Sequence, residues 1–225
     1  FLIFLSYFIV TIFIPKNADS ASKQSTAKVS EKSEKIKTAL FAGGCFWCME
    51  HPYEDQPGIS KALSGYTGGK KQNPTYNQVA SGSTQHVEAV EIHFDPEIIS
   101  YKDLLQIFWR NIDPTDAGGQ FVDRGKQYTT GIFYKNNQQK KMAEQSKKRL
   151  ESKNLFNKKI ITKIVPAGKF YPAEEYHQDF FKKNYIRYRV YRAGSGRDEF
   201  IKRIWGEDRK YKISKTGFNR GTVPK

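Results

Sequence analysis

The fold is decided by residues 38–55, which read TALFAGGCFWCMEHPYED. Its first five residues, TALFA, form a short apolar run that predicts a buried strand, and Gly43-Gly44 ends that run. The residues from Phe46 to Asp55 have the composition of a helix start. The pattern therefore places Cys45 at a strand-to-helix turn.

Further strand and helix patterns follow this stretch in alternation. Residues 89–95, AVEIHFD, alternate apolar and polar side chains, as a half-buried strand does. Ser100 and Asp103 form a capping pattern at the start of a helix that Pro114 ends. The remaining candidates are a strand at 128–134, a polar helix at 137–153 and a strand at 160–165. This order predicts a single α/β or α+β layer structure in which helices pack on one sheet.

The composition of the 225-residue chain excludes several classes of protein. An apolar fraction of 38% with 14% aromatic residues is too high for a disordered chain, and the absence of any apolar run near 20 residues argues against a polytopic membrane protein. Two cysteines cannot form a disulfide-rich scaffold or a four-thiolate zinc site. The net charge of +15 is concentrated in residues 135–225, which hold 25 Lys and Arg against 9 Asp and Glu. Such a region is able to bind nucleic acid or anionic lipid, although solvated helix faces are the commoner explanation.

The two cysteines carry the strongest chemical signal. Free N–H groups and the dipole at a helix N-terminus stabilise a thiolate, so we expect a lowered pKa for Cys45 and a nucleophile at neutral pH. Cys48 lies one helical turn further on, close enough to trap an oxidised Cys45 as a disulfide. Cys-x-x-Cys alone also fits a structural disulfide or half of a metal site. The rings of Phe46 and Trp47 beside Cys45 suit a methyl or thioether group.

Motifs throughout the body of the chain match one known family. They are GCFW at 44–47, GYTGG at 65–69, NPTY at 73–76, SGSTQHVEAV at 81–90, DRGKQY at 123–128, YPAEEYHQDF at 171–180 and RAGSGRDEFIKRIWG at 192–206. On these motifs the chain resembles the A-type peptide methionine sulfoxide reductases from residue 38 to residue 206. The resemblance implies a two-layer α/β sandwich with a mixed, ferredoxin-like sheet, and an enzyme that repairs oxidised proteins.

The resemblance assigns the two central roles of a sulfoxide reduction. It makes Cys45 the nucleophile that attacks the sulfoxide sulfur, and Glu88 the general acid that protonates the departing oxygen. A carboxyl that faces the rings of Phe46 and Trp47 loses hydration, which raises its pKa as this role requires. The same two rings are expected to bind the substrate.

The resemblance also places polar groups around the sulfoxide oxygen. Tyr76 and Tyr128 match the phenols that hydrogen-bond this oxygen in the family, and Asp123 matches a polar residue close to the site. Two of the four histidines, His86 and His177, lie in matching motifs. We expect neither of them to be catalytic, and we expect no metal site.

Cys48 stands where the chain departs from the commonest pattern of the family. Many members regenerate the enzyme with cysteines near the C-terminus, and this chain has none there. Cys48 is therefore expected to convert a Cys45 sulfenic acid into a disulfide, unless an external thiol attacks that acid directly. We expect no cofactor beyond a thiol reductant such as thioredoxin or dithiothreitol. The expected substrates are methionine-S-sulfoxide in proteins and as the free amino acid, and the expected state is a monomer.

The ends of the chain differ from its body. Residues 1–14, FLIFLSYFIVTIFI, resemble the apolar region of an export signal, so residues 1–20 are a cleaved signal, an uncleaved anchor or a misplaced core helix. Residues 21–37 predict a flexible tether, residues 38–206 the catalytic domain, and residues 207–225 a basic tail. We expect an exported protein, periplasmic or membrane-anchored, that touches membranes only through its N-terminal segment. Without a signal it is cytoplasmic.

Two other functions stay open on the sequence alone. A general thiol-disulfide oxidoreductase of the thioredoxin type uses the same Cys-x-x-Cys without Glu88 or the aromatic pair, and reduction of insulin disulfides identifies it. A nucleic-acid or lipid-binding module built on residues 135–225 shows steeply salt-dependent binding with both cysteines removed. The leading hypothesis needs no nucleic-acid partner.

Overall fold

The computed structural model describes residues 35–213, which hold eight strands. These are β1 (Lys37–Gly43), β2 (Ile59–Thr67), β3 (Val87–Phe94), β4 (Gly119–Gln120), β5 (Asp123–Arg124), β6 (Thr130–Tyr134), β7 (Lys163–Pro166) and β8 (Tyr171–Pro172). Six of them form one sheet in the order β7-β6-β1-β3-β2-β8, and β4 pairs with β5 alone. Only β6 and β7 run parallel, so the large sheet is mixed.

The described residues also hold seven α-helices, four between strands and three after the last strand. These are α1 (Phe46–Glu54), α2 (Tyr76–Ala80), α3 (Tyr101–Trp109), α4 (Asn137–Glu151), α5 (Phe180–Lys183), α6 (Tyr185–Gly194) and α7 (Arg197–Trp205). Short 3-10 turns lie at Lys126–Tyr128, Glu175–His177 and Gly206–Arg209. Within residues 35–213, none of these helices has the length and apolar character needed to cross a membrane.

The main core lies between one face of the sheet and the helices α1, α3 and α4. Alternate residues of β1 face opposite sides: Phe41 packs into the main core, where its ring centroid lies 5.1 Å from that of Phe108 of α3. Leu40 instead belongs to a smaller cluster on the other face, which Phe170 helps to cover. The α+β prediction of helices packed on one mixed sheet is therefore confirmed, while the finer ferredoxin-like assignment stays a prediction.

The element boundaries agree with the sequence patterns at several points and differ at others. The predicted cap of α3 is present, because the Asp103 N–H donates to Ser100 Oγ at 3.2 Å and the Ser100 N–H donates to Asp103 Oδ2 at 2.9 Å. The strand predicted at 128–134 begins only at Thr130, because Tyr128 ends a 3-10 turn. The strand predicted at 160–165 begins at Lys163. The patterns missed β2, which lies between β3 and the edge strand β8, and the C-terminal helices α6 and α7.

Candidate active site

A tight turn between β1 and α1 presents Cys45, as the sequence predicted. Gly44 has a φ of +82°, and a Cβ atom there would lie 2.5 Å from Cβ of Gln120, so a side chain at this position is excluded by both backbone and space. Cys45 is the residue that caps α1, and its carbonyl accepts a hydrogen bond from the Cys48 N–H at 3.1 Å. The turn therefore fixes the first thiol at the start of the helix and the second one turn later.

Glu88 reaches the same helix start from the sheet. It lies on β3 opposite Tyr66 of β2, it is 2% exposed, and its Oε2 accepts a hydrogen bond of 2.9 Å from the Phe46 N–H. Burial raises the pKa of Glu88 to about 8, although the Phe46 N–H opposes the shift. The carboxyl is therefore mostly neutral at pH 7 and is able to donate a proton. The direction of this pKa shift confirms the prediction from the sequence.

A shared hydrogen bond decides which sulfur carries the first negative charge. Both cysteines are free thiols and both are buried. The pKa of Cys48 falls to about 6 because its sulfur accepts a hydrogen bond from Cys45 and because Arg197 and Arg192 lie nearby, against the effect of burial. Burial and the same hydrogen bond raise the pKa of Cys45. The hydrogen bond and the two guanidinium groups therefore favour negative charge on Cys48 over Cys45.

The predicted lowering of the Cys45 pKa is therefore wrong for the resting site. That prediction relied on free N–H groups at the helix N-terminus, but the Phe46 N–H is already bound to Glu88. Cys45 is only 6% exposed, so loss of hydration outweighs the helix dipole. Negative charge on Glu88 or Asp123 would disfavour a Cys45 thiolate further. Cys45 consequently needs a proton acceptor before it attacks, and the Cys48 thiolate is hydrogen-bonded to it.

Trp47 forms a rigid aromatic wall beside the thiol pair. Its indole N–H donates to Nδ1 of His177 at 3.1 Å, and its ring stacks on Phe180 with the centroids 3.7 Å apart. Tyr191 of α6 packs edge-on against the other side of the indole at 5.8 Å. Burial lowers the pKa of His177, so the imidazole is neutral and its Nδ1 is able to accept the indole proton. Trp47 is thus held by residues from a distant part of the sequence.

The two tyrosines named from the sequence lie on the other side of the site. The Tyr76 ring centroid is 6.4 Å from that of Phe46. Burial and the nearby Glu88 carboxyl raise the pKa of Tyr76 to about 12 and also raise the pKa of Tyr128. Both phenols therefore keep their protons at neutral pH and are hydrogen-bond donors. Within the described chain, neither hydroxyl is hydrogen-bonded to another residue.

Asp123 and its partner show what sequence reasoning missed. The Asp123 carboxylate accepts a short hydrogen bond from the Tyr191 hydroxyl, and burial raises its pKa. Arg192, the next residue of α6, donates from Nη1 to the Cys48 carbonyl at 3.3 Å. His86 lies apart from Glu88, since its Nδ1 accepts from the Gly69 N–H at 3.1 Å and its Nε2 contacts the Lys71 carbonyl at 2.7 Å. No local pattern in the sequence marks Tyr191 or Arg192 as part of the site.

One cluster of carboxyl groups lies away from the thiols. Oxygen atoms of Glu50, Glu54 and Asp179 come within 4.8 Å of one another. Lys182 already bonds Glu54 at 2.6 Å and Asp179 at 3.2 Å, and Ser64 donates to Glu50 at 2.6 Å. The cluster is thus satisfied by protein groups. Neither cysteine belongs to a set of three potential metal ligands in the part of the chain that the structure describes.

A reactive cysteine pair with a neutral carboxylic acid beside it defines a thiol-dependent oxidoreductase whose substrate receives a proton during the reaction. Comparison with known proteins makes this assignment specific. A family model described as peptide methionine sulfoxide reductase matches residues 37–209, and the chain therefore belongs to that family. The family resemblance and the expected reduction of methionine sulfoxide are thereby confirmed.

Relatives and solved structures support the same conclusion. The chain is 56% identical to peptide methionine sulfoxide reductase MsrA of Bacillus licheniformis over 174 residues, which are 77% of this chain and 96% of that protein. The MsrA of Bacillus subtilis is also 56% identical over 174 residues, 77% of this chain and 98% of that protein. The structure is similar to Mxr1 from Saccharomyces cerevisiae in reduced form, with 34% identity, a TM-score of 0.63 and coverage of 67% of this chain and 87% of that one. The structure is also similar to methionine sulfoxide reductase A of Corynebacterium diphtheriae, with 31% identity, a TM-score of 0.60 and coverage of 67% of this chain and 76% of that one.

Proposed function

We propose that the protein reduces methionine-S-sulfoxide, in proteins and as the free amino acid, with Cys45 as the nucleophile and Glu88 as the general acid. One observation carries this proposal: the buried, neutral carboxyl of Glu88 accepts a hydrogen bond from the N–H of Phe46, the residue that follows Cys45. Thiol-disulfide exchange breaks an S–S bond and expels a thiolate, so it needs no acid for a departing oxygen. Sulfoxide reduction does need one. The site is therefore better equipped for sulfoxide reduction than for general disulfide exchange.

The first half of the proposed reaction transfers one oxygen atom. Cys45 attacks the methionine sulfur while Glu88 gives its proton to the sulfoxide oxygen. The Cys45 proton passes along the shared hydrogen bond to the Cys48 thiolate, which is the nearest base. The S–O bond of the substrate breaks, the sulfoxide is reduced to a thioether, and Cys45 is oxidised to a sulfenic acid. Methionine leaves as the first product.

The second half of the proposed reaction restores the cysteine pair. Cys48 attacks the sulfenic acid at Cys45, which forms an S–S bond and releases water. Arg197 and Arg192 stabilise a thiolate at Cys48, which favours this attack at neutral pH. A dithiol of the thioredoxin type, or dithiothreitol, then supplies two electrons and two protons and opens the disulfide. We propose no other cofactor.

The remaining site residues are proposed to hold the sulfoxide in place. Phe46 and Trp47 offer apolar ring faces to the methyl and methylene groups beside the sulfur. The protonated phenols of Tyr76 and Tyr128, which lack partners within the described chain, donate hydrogen bonds to the sulfoxide oxygen. Asp123 acts indirectly, because it accepts the hydrogen bond of the Tyr191 hydroxyl and Tyr191 packs against Trp47. These groups stabilise the negative charge that develops on the oxygen before Glu88 neutralises it.

We also propose a location outside the cytoplasm for this activity. Residues 1–20 would serve as an export signal or a membrane anchor, and residues 21–37 as a tether. If the N-terminal segment is no signal, the protein would stay in the cytoplasm. The structure describes only residues 35–213, so this segment lies outside it, as does the tail beyond Ile213. We propose that the protein acts as a monomer without nucleic acid. Fractionation of cells that express the full chain tests the location, and recovery entirely in the cytosol contradicts export.

A substrate comparison tests the proposed activity. The protein is incubated with dithiothreitol and each methionine sulfoxide epimer separately, and the methionine released is measured. We expect turnover of the S epimer and none of the R epimer. The same preparation is assayed for reduction of insulin disulfides, with Cys45→Ser as the control for both reactions. Fast insulin reduction without sulfoxide turnover would show that the pair is a general disulfide exchanger.

A further inference from the structure

Helix α6 holds apolar side chains in solvent. Ile186 and Val190 are one turn apart on one side of this helix, and Ala193 follows three positions later. Ile186 is 78% exposed and Val190 70%, the two largest exposed fractions among the large apolar residues of the described chain, and Tyr185 is 60% exposed. We call Ile186, Val190 and Ala193 the outer face of α6. A stripe with this spacing ordinarily packs against a core, so its exposure calls for a partner.

The opposite side of the same helix is the one that touches the thiol pair. Tyr188 packs in a buried cluster with both cysteines, and Arg192 bonds the Cys48 carbonyl. Because Tyr188 and Arg192 are on the inward side, the outer face of α6 points away from the cysteines. The stripe is therefore no part of the substrate pocket.

Positive charge surrounds the outer face of α6. From Lys182 to Lys212 the chain has eleven Lys and Arg and four Asp and Glu. Of these cations Arg197 is buried, and four are in ion pairs: Lys182, Lys183, Arg192 and Arg209. Arg187 and Arg189 flank the stripe, and neither forms an ion pair with a described residue. Arg189 and Ala193 also line a groove of about 800 Å³. Three further lysines without an ion-pair partner among the described residues line it, Lys202, Lys210 and Lys212, and its acidic residues are Asp55 and Asp198.

We propose that the outer face of α6 and the cations beside it bind an anionic membrane surface. A helix with an apolar stripe bordered by Lys and Arg lies in the membrane interface, with the stripe among the acyl chains and the cations at the headgroups. Tyr185 fits the same boundary, because its ring is apolar and its hydroxyl is polar. This contact uses described residues alone and adds to the proposed N-terminal anchor. It would hold the enzyme with α6 against the lipid.

Charge and position disfavour the other partners for this surface. A second copy of the chain would bring two cationic surfaces into contact, which is repulsive. A protein reductant must reach the Cys45–Cys48 disulfide, which lies on the inward side of α6. Nucleic acid would use the cations, but phosphate contacts give no reason for an aliphatic stripe.

The experiment uses residues 35–213, so that the N-terminal segment does not bind lipid itself. The matched part makes up 96% and 98% of the two Bacillus relatives, so proteins of about this extent exist without the segments removed here. Binding is measured by co-sedimentation with vesicles of equal phosphatidylglycerol and phosphatidylcholine, and with phosphatidylcholine alone. We expect binding only to the anionic vesicles, weakened about tenfold or more by Ile186→Ser with Val190→Ser. Arg187→Gln with Arg189→Gln should weaken it similarly and reduce its salt dependence.

Matched controls test whether vesicle binding depends on this surface or on exposed apolar residues and cations anywhere on the protein. Ile98→Ser with Ile161→Ser removes exposed apolar residues elsewhere, and Lys141→Gln with Lys148→Gln removes exposed cations from α4. Both control pairs should bind the anionic vesicles like the unmodified protein.

Activity and assembly state complete the test. All variants should keep full activity on free methionine sulfoxide, which separates loss of lipid binding from loss of fold or of the proposed reaction. Equal binding by the α6 variants and the controls, binding to neutral vesicles alone, or no vesicle binding overturns the proposal. A dimer in sedimentation that Ile186→Ser with Val190→Ser dissociates would instead assign the surface to a second copy.

Discussion

Replacing Glu88 with Gln isolates the contribution of proton transfer. The amide oxygen of Gln still accepts the hydrogen bond from the Phe46 N–H, so the substitution removes the acid with little change in shape. With a pKa of about 8, Glu88 is roughly 90% protonated at pH 7, and nearly all enzyme molecules lose an active acid. A positioned general acid is worth about 10²–10⁴ in rate. The barrier to methionine release should therefore rise by about 3–5 kcal/mol, while substrate binding changes little.

The pH dependence of the same step gives a second measurement. Glu88 acts in its protonated form, so the wild-type rate should fall as pH rises above about 8. The pair needs a thiolate to accept the Cys45 proton, so the rate should also fall below about pH 6, where Cys48 becomes protonated. Glu88→Gln should lose the alkaline limb and keep the acid limb. Single-turnover release of methionine, measured between roughly pH 5 and 10, follows both limbs.

Glu91→Gln is the matched control, because Glu91 lies on the same strand and bonds Lys135 and His93 on the protein surface. That variant should keep the wild-type rate and the wild-type pH profile. A Glu88→Gln enzyme with the wild-type single-turnover rate, or with the alkaline limb intact, would refute the role of Glu88 as the acid.

Three further substitutions test other parts of the site and fold. Cys45→Ser should release no methionine above the uncatalysed rate in a chromatographic assay, and residual turnover contradicts its role as the nucleophile. Cys48→Ser should release about one methionine per enzyme, more slowly than the wild type because the proton acceptor for Cys45 is gone, and should leave a Cys45 sulfenic acid in the mass spectrum. A free Cys48 thiol in wild-type enzyme after turnover contradicts the resolving role. Burial raises the pKa of Glu50 to about 7, so the free energy of unfolding should fall as pH rises from about 4.5 to 7, where the unfolded chain has lost a proton that the folded protein keeps. In thermal unfolding experiments, Glu50→Gln should reduce the dependence of the free energy of unfolding on pH in this range. An unchanged pH dependence contradicts the raised pKa of Glu50.

The sequence predicted the elements whose signals are local. The Ser100–Asp103 cap and the glycine pair before Cys45 act over a few residues, and both are present in the structure. Strand β2 was missed because polar and small residues occupy its buried positions. Ser64 is buried because its hydroxyl bonds Glu50 of α1, and Gly65 lies against the ring of Phe170. Such long-range compensation leaves no apolar alternation in the sequence.

The site also contains features that local motifs predicted and features that depend on distant residues. Cys45 and Glu88 could be named from motifs, and the direction of the Glu88 pKa shift followed from expected burial. The lowering of the Cys48 pKa could not, because besides the hydrogen bond with Cys45 it depends on Arg197 and Arg192, about 150 residues further along the chain. The residues that hold Trp47 in place, His177, Phe180 and Tyr191, are similarly distant in the sequence.

The hydrogen bond between the Phe46 N–H and Glu88 becomes stronger as the reaction advances. A neutral carboxyl accepts such a bond weakly, and a carboxylate accepts it roughly twice as strongly. When Glu88 releases its proton, the same N–H and the positive end of the α1 dipole therefore stabilise the anion that is left. Because the donor is already in place, this gain belongs to the transition state and requires no rearrangement. One backbone amide thus makes the acid stronger at the moment its proton is needed, and the same peptide group is bonded directly to the nucleophilic residue.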